Sequence, residues 1–532
     1  MSGITQLDPD HGLEGGSQNP QNPFEGLQVK LKLPDFWQQA AVKALKARKD
    51  VVVHAPTGAG KTYIFEMFVE NGLKGQAIYT VPTRALANDK LAEWRAKGWD
   101  VGIATGDLAE NLNAKVVVAT LETQKAQFLR GEGPSLLVVD EYQLLSDATR
   151  GVNYELTLAM APPQTQLLLL SGSVANPNDI VEWLKRMRRQ AVLVKTTTRP
   201  VPLQEVAVNS LPYRVPKQVK GFYARQIAAA LMADMGPILV FAPQRNACEK
   251  IARQVAAAFP HDQPLQLSQE QEQLCGGTLS HMLKNRVAFH HSGLSYGVRA
   301  GVIEPLARAG QLRVVVATMG LAAGINFSMR SVLVTDTSYM RKNFECRVRE
   351  DELLQMFGRA GRRGLDEEGY VLVIPDRPRL LDACEARLTR SAQLDWSSLL
   401  AVMHTAPDRG EEPFQAAFRL NQRLFSNRQP PLGVEKSLAT GEMPCGLLVD
   451  AERAQLAKPD KTQMRNFRMR WEPATQPREV PLREAFVRNK GRWRPALTVA
   501  STLDNLGTGN LCKIELDPPE DAPENQEPEW IY

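Results

Sequence analysis

Ala55-Pro56-Thr57-Gly58-Ala59-Gly60-Lys61-Thr62 sets two glycines, a lysine and a hydroxyl directly after the apolar run Val51-Val52-Val53. Glycines at that spacing let backbone N–H groups close around phosphate oxygens, and a helix opening near Tyr63 adds a favourable dipole. Thr57, Gly58, Ala59 and Gly60 would form the cradle, Lys61 would reach the β- and γ-phosphates of ATP, and the Thr62 hydroxyl would ligate magnesium. A Gly-rich strand-to-helix turn without a ligand is the competing reading. The complete Gly-x-Gly-Lys-Thr core in strand–loop–helix context argues against it. Further on, Val138-Val139-Asp140-Glu141 ends another apolar run in an acidic pair. There Asp140 would stand beside the magnesium and Glu141 would polarise an attacking water. Alone, such a pair is usually a loop boundary or a helix cap; after a phosphate loop, at the end of a buried strand, it is a candidate for catalysis.

The elements that must position these groups are legible as short continuous apolar runs alternating with helical stretches. Over 31–194 the runs are 51–53, 77–79, 116–118, 136–139 and 167–170. Continuous rather than alternating apolarity marks strands buried on both faces, and strand–helix alternation implies a doubly wound parallel sheet. Residues 196–202, with a Thr run and two prolines, read as a linker. A second such block has runs at 238–241, 287–289, 314–316, 332–334 and 370–373. The expected organisation is a disordered leader (1–24), a first α/β domain (25–198), a second (199–378), a smaller mixed C-terminal region (379–513) and an acidic disordered tail (514–532).

In the 532 residues, 64 Lys and Arg stand against 59 Asp and Glu, a net charge of +5, so any basic surface must be local. The 43% hydrophobic content suffices for several cores. No two of Cys248, Cys275, Cys346, Cys384, Cys445 and Cys512 have C-x-x-C spacing, which argues against a zinc ribbon. Scattered thiols fit a reducing cytoplasm. No stretch approaches the length of a transmembrane helix, so no membrane partner is expected.

Read in order, the motifs resemble those of superfamily 2 DExH-box helicases, in the Ski-like branch that includes RNA-exosome helicases and archaeal DNA-repair helicases. Trp37-Gln38 resembles the aromatic-plus-Gln pair that reads adenine. Pro82-Thr83-Arg84-Ala85-Leu86-Ala87, Gly106-Asp107 and Thr120-Leu121-Glu122 resemble motifs that lie along a nucleic-acid backbone, a task suited to hydroxyls, amides and one Arg. Arg150-Gly151-Val152-Asn153-Tyr154-Glu155 matches an extension of the acidic motif, and Arg199-Pro200-Val201-Pro202-Leu203 looks like the family's interdomain linker. In the second block His290-His291-Ser292-Gly293-Leu294 resembles a branch motif, with hydrogen bonding favoured over metal binding for the two histidines. Ala317-Thr318 with Ala323-Gly324-Ile325-Asn326 resembles motif V, and 355–364, containing Arg359 and Arg362, resembles motif VI. The resemblance implies two RecA-like domains, ATP and Mg2+ as cofactors, and a nucleic-acid partner, RNA slightly ahead of DNA. It assigns Gln38 and Gly324 to ATP, and Pro82, Thr83, Arg84, Gly106, Thr120 and Thr318 to nucleic acid. Arg359 and Arg362, three apart on a helix, would both face the γ-phosphate held by the first domain.

The chain departs from the branch in three places. Gln143 stands where His is usual, and its amide would couple the acidic motif to Ser171 or Ser173. Ser171-Gly172-Ser173 replaces Ser-Ala-Thr. After 375 the match weakens: Trp396-Ser397-Ser398-Leu399-Leu400 and 413–418 resemble the lead-in to a winged helix, and 464–494 interleaves arginines with aromatics. That last segment suits either base stacking with backbone contact or a small β-rich unit with a solvated basic face. Residues 337–348 fit a hairpin turning at Lys342-Asn343. The rival to a motor is a nucleotide-gated clamp that hydrolyses ATP without separating strands.

Overall fold

The computed structural model describes residues 33–426 apart from 148–149, 259–262, 342–343 and 391–394, together with short backbone segments beyond. The first sheet comprises β1 (Asp50–His54), β2 (Ala77–Thr80), β3 (Val101–Ala104), β4 (Ala109–Glu110), β5 (Val116–Ala119), β6 (Leu136–Asp140), β7 (Gln166–Ser171) and β8 (Ala191–Lys195). Their order is β4-β3-β5-β2-β6-β7-β1-β8, and all pair in parallel except the edge strand β4. The continuous apolar runs have a direct cause. Val52, Leu137 and Leu169 pack into the core on one face, while Val51, Val53, Val138 and Leu168 pack into the core on the other.

The second sheet is built from β9 (Leu203–Ala207), β10 (Ile238–Ala242), β11 (Val287–His290), β12 (Val314–Thr318), β13 (Ser331–Val334) and β16 (Gly369–Val373), in the order β11-β12-β10-β13-β16-β9, all parallel. Between β13 and β16 the expected hairpin forms from β14 (Ser338–Arg341) and β15 (Phe344–Arg347), with Arg341 opposite Phe344. The architecture is therefore two RecA-like doubly wound sheets in tandem. Every apolar run named from sequence is a strand. Strands β3, β4, β8 and β9 carried weaker signals: β3 contains Gly102, β4 is two exposed residues, and β8 and β9 are only partly buried edges.

The chain crosses between the domains twice. After β16 it returns to the first domain, where helices Trp396–Thr405 and Pro413–Gln422 bury Leu399, Val402, Ala416 and Leu420 in the same core as Leu156 and Trp183. Asp395 caps the first of these helices by accepting from Ser397 N–H, and Glu412 caps the second with Pro413 in its first turn.

The leader and most of 427–532 lie outside the described residues. The acidic tail expected to be disordered instead contributes strand: Trp530–Ile531 pairs antiparallel with Cys512–Leu516, where aromatic and β-branched residues override the flanking acids and prolines. Leu482–Asn489 lies between that strand and Arg492–Pro495, so part of the Arg/aromatic segment is β-structured; its side chains are outside the described residues.

Candidate ATP site and nucleic-acid face

Parallel strands leave their functional loops at one edge, the C-terminal ends. The phosphate loop follows β1, the acidic pair ends β6, and Ser171 ends β7, with these three strands adjacent as β6-β7-β1. The residues expected at nucleic acid follow β2, β3 and β5, which are adjacent on the other half of the same sheet. One sheet edge thus carries both candidate surfaces.

Gly58 and Gly60 take φ of +81° and +87°, left-handed values that suit glycine, and Gly60 caps the helix Lys61–Asn71. Lys61 Nζ donates to the carbonyl oxygens of Ala55 (2.9 Å) and Pro56 (3.2 Å). Burial lowers its pKa, and Glu141 and Asp140 oppose that. Gln38 is 1% exposed. Its Nε2 donates to Gly60 O (3.0 Å) and its Oε1 accepts Asp35 N–H (2.9 Å), so its amide ties the loop to the preceding helix. Adjacent to it, Trp37 packs partly into the core.

Asp140 is hydrogen-bonded by the Tyr79 hydroxyl (2.9 Å), which also lies 3.4 Å from Thr62 Oγ1. Burial, then the Glu141 carboxylate, pushes Asp140 up to about 6. A hydroxyl and a crowded, half-buried carboxylate pair make an oxygen donor set that fits a hard divalent cation, with Thr62 and Asp140 as the residues that would hold it. Tyr79 was missed by sequence reasoning, because an aromatic in a strand reads as core. Its ring is core, 0% exposed, while its hydroxyl reaches the site.

Glu141 adopts φ +61°, ψ 54°, a left-handed conformation uncommon for a non-glycine residue. Its carboxylate accepts from Gln143 Nε2 (2.5 Å); Gln143 Oε1 in turn accepts from Ser171 Oγ (2.6 Å), which accepts Ser173 N–H (3.3 Å). The amide does what an imidazole would, donating at one end and accepting at the other. Of the two serines named for coupling, Ser171 makes the direct bond. Gly172 has its own reason: a Cβ there would overlap the Ala55 carbonyl oxygen, so Gly replaces the family's Ala where β7 crosses the phosphate loop.

Motif VI differs from its expectation. The helix Glu350–Phe357 ends before the arginines, and Gly361 at φ +80° turns the chain. Arg359 and Arg362 therefore do not share a helical face. Arg359 is set against the acidic pair: burial lowers its pKa while Glu141 and Asp140 raise it. Arg362 points elsewhere, its Nε and Nη2 donating to the two Asp366 oxygens (2.8 and 2.7 Å). The guanidinium that crosses to the loop is that of Arg363, donating to Ala59 O (3.0 Å) and to Asp35 (3.2 Å). Gly358 packs on the loop as well, since a Cβ there would come within 2.7 Å of Thr57 Cβ. Arg199, in the linker, donates to Gly358 O (2.9 Å) and Ala360 O (2.6 Å), holding the turn that carries Arg359. Gly324 ends a short 3-10 segment (Met319–Gly324), where the nearest atom to a Cβ is Leu321 Cδ2 rather than an atom of the phosphate loop.

On the other half of the edge, Thr83 caps the helix Arg84–Ala96 by accepting Leu86 N–H, Arg84 pairs with Asp107, and Gly106 lies under the Arg84 guanidinium. Arg150 links two of these loops, donating to Pro82 O (2.6 Å) and Glu122 (2.8 Å). Thr120 precedes the 3-10 turn Leu121–Gln124, and Thr318 ends β12 in the second sheet. The two histidines each take a carboxylate, His290 with Glu304 and His291 with Glu249, both at 3.0 Å.

Two RecA-like sheets, with a phosphate loop on one and an arginine-bearing loop against it on the other, form the domain pair of the helicase class. The model for DEAD/DEAH box helicases matches residues 36–180, and that for the helicase conserved C-terminal domain matches 224–364. The ATP-dependent DNA helicase Hel308 of Thermoplasma acidophilum is 34% identical over 356 residues, 63% of this chain and 52% of the relative. Superkiller complex protein 2 of Mus musculus is 26% identical over 490 residues (76% and 38%), and the ATP-dependent RNA helicase mtr4 of Schizosaccharomyces pombe 29% over 413 (64% and 37%). The chain belongs to the superfamily 2 helicases, in their Ski-like branch. It spans about half the length, or less, of these relatives.

Proposed function

We propose that this chain is a nucleic-acid-stimulated, magnesium-dependent ATPase that moves along or separates single-stranded or tailed nucleic acid, RNA ahead of DNA. The observation that carries the reading is the unbroken hydrogen-bond path Glu141–Gln143–Ser171 at the floor of a cleft closed from the other domain by Gly358, Arg359 and Arg363. Magnesium and ATP supply the transferred phosphoryl group and its charge neutralisation when bound. The chain's residues do the rest. Thr57 to Lys61 cradle the phosphates, Lys61 exchanging its loop carbonyls for phosphate oxygens. Thr62 and Asp140, the latter oriented by Tyr79, hold the metal. Glu141 takes the proton of the attacking water, and Arg359 faces the charge that builds on the phosphoryl oxygens. Domain closure is then a condition of hydrolysis, and Pro82 to Arg84, Gly106 and Thr120 on one domain and Thr318 on the other would grip the strand's backbone. The names of the relatives cover both DNA and RNA helicases, and the cytoplasm is the compartment proposed.

The test is ATPase activity with matched RNA and DNA oligonucleotides, single-stranded and duplex, beside a strand-displacement assay. Stimulation by single strands with displacement of a tailed duplex is expected. Stimulation without displacement would replace the motor by a nucleotide-gated clamp, and hydrolysis indifferent to nucleic acid would defeat both.

A further inference from the structure

The second crossing between the domains ends on the ATP motifs. Leaving the second sheet, the chain is fixed by Arg379 and the Leu380 N–H, both donating to Glu205 (2.7 and 2.8 Å). Five residues later Glu385 Oε1 meets His54 Nε2 at 2.8 Å, in the first domain. Five residues span at most about 17 Å when fully extended, so the two anchors are joined by a short connection that includes the turn Leu380–Asp382. From there the strap runs along the segment after β7: Ala386 N–H donates to Ser173 O (3.0 Å) and Ala175 N–H to Ala386 O (2.9 Å), Asn176 Oδ1 accepts Leu388 N–H (2.7 Å), and Arg390 pairs with Glu155 of the first domain (2.8 Å).

His54 is the last residue of β1, directly before the phosphate loop, and is 2% exposed. Burial holds its pKa down, reinforced by Lys195 and Lys61 and opposed by Glu385. Facing a carboxylate at hydrogen-bond distance, Nε2 carries a proton and donates it. Burial, and then the Glu385 carboxylate, raise the pKa of the Tyr142 hydroxyl, next to Glu141. Three buried polar atoms of this neighbourhood, His54 Nδ1, Tyr142 Oη and Ser173 Oγ, have no hydrogen-bond partner among the described residues. They stand just before the phosphate loop, just after the acidic pair and just after β7, and residues 385–386 bond to His54 and to the Ser173 backbone. Buried polar groups left unpaired are costly and are retained where a site needs them.

We propose that Glu385 is a positioning residue of the ATP site: through its bond to His54, beside the backbone pairing of Ala386 with Ser173, it makes the strap a tether by which movement of the second domain sets the phosphate loop and the turn after β7. The inference rests on the proposed nucleic-acid-stimulated ATPase. The experiment measures ATP turnover of the full chain against ATP concentration, with and without saturating single-stranded oligonucleotide, and the melting temperature of each variant. Glu385→Ala should lower stimulated kcat about tenfold, the usual order for a lost supporting partner, with KM for ATP nearly unchanged. Glu385→Gln keeps an acceptor for His54 Nε2–H and should stay within about twofold of wild type, and the double variant of Glu385→Ala with His54→Phe should be no worse than the poorer single variant. Unchanged stimulation in Glu385→Ala, or multiplying losses in the double variant, overturns the inference. Equal losses in the Ala and Gln variants with a lowered melting temperature also overturn it, in favour of a purely structural contact. Wild-type protein that nucleic acid does not stimulate would sink the proposed function itself, a result separate from these.

Discussion

The two faces of the cleft are built differently. On the first domain every chemical group stands at the end of a parallel strand or one turn beyond: Lys61 after β1, Asp140 and Glu141 at β6, Ser171 at β7. The sheet's pairing register fixes these ends relative to one another, and side-chain hydrogen bonds then join them into one path. On the second domain the arginines follow a helix that has already ended, in a turn held by Arg199 and by Asp366. Strand ends in a buried sheet are rigid points, whereas a loop that turns at Gly361, with its positive φ, is aimed by its partners. Chemistry that needs pre-organisation sits on the first face, and chemistry that must arrive with closure sits on the second.

The largest expected effect lies on the rigid face. Lys61→Ala should abolish measurable ATP hydrolysis with the fold intact, because it removes the cation that the phosphate loop itself carries toward the β- and γ-phosphates. Wild-type turnover in that variant would undo the phosphate-site assignment and the contrast between the faces with it.

On the second face the three arginines should separate. Arg359→Ala should cut stimulated turnover on the order of 10³-fold while ATP still binds, the size known for arginines that stabilise the transferring phosphoryl group. Arg363→Ala should act mainly on ATP affinity, through the loop carbonyl it holds. Arg362→Ala should cost the least of the three, its guanidinium being committed to Asp366. Single-turnover rates and ATP affinities of all three variants decide it: a larger loss from Arg362→Ala than from Arg359→Ala would mean that the Asp366 pair opens on closure.

That contrast also explains what could be read from the sequence. The phosphate loop, the acidic pair and the serines were legible because each is tied to a strand end that the apolar runs mark. Gln143 was legible as a departure, with Ser171 or Ser173 named as its partner. The arginine pair was misjudged because three-residue spacing implies a shared face only while the helix continues, and Gly358 and Gly361 end it. Tyr79 hid inside an apolar run, where an aromatic is ordinarily packing. The strap was invisible: Cys384-Glu385-Ala386 has no pattern, and its meaning comes from a fold that brings 385 back to His54.

Gln143→Ala tests the path rather than its ends. The variant keeps Glu141 and Ser171 but removes the amide between them, so strand displacement should fall about tenfold further than ATP turnover, as for lost supporting partners generally. Equal losses in the two assays would place Gln143 in the chemical step instead.

The smallest effect belongs to a contact that joins the two faces away from the phosphates. Asp89, on the helix Arg84–Ala96 of the first domain, accepts from the Tyr296 hydroxyl of the second (3.3 Å) and faces Glu304, which His290 and Arg308 also contact. Burial, then the Glu304 carboxylate, lifts Asp89 from 3.8 to about 6, with Arg308 opposing. A carboxyl whose pKa is raised in the closed arrangement favours that arrangement when protonated. The contribution is complete below the ordinary value near 3.8 and is lost as pH rises through about 6. Closure should therefore strengthen modestly from pH 7 down to about pH 5.5, by less than the tenfold that one pKa unit represents. Asp89→Asn removes the titration and keeps an acceptor for Tyr296, so its interdomain distance, followed by fluorescence transfer between labels on the two domains, should no longer respond to pH in that range. An identical pH response in wild type and Asp89→Asn would show that other groups govern closure there and that the carboxylate pair is merely tolerated.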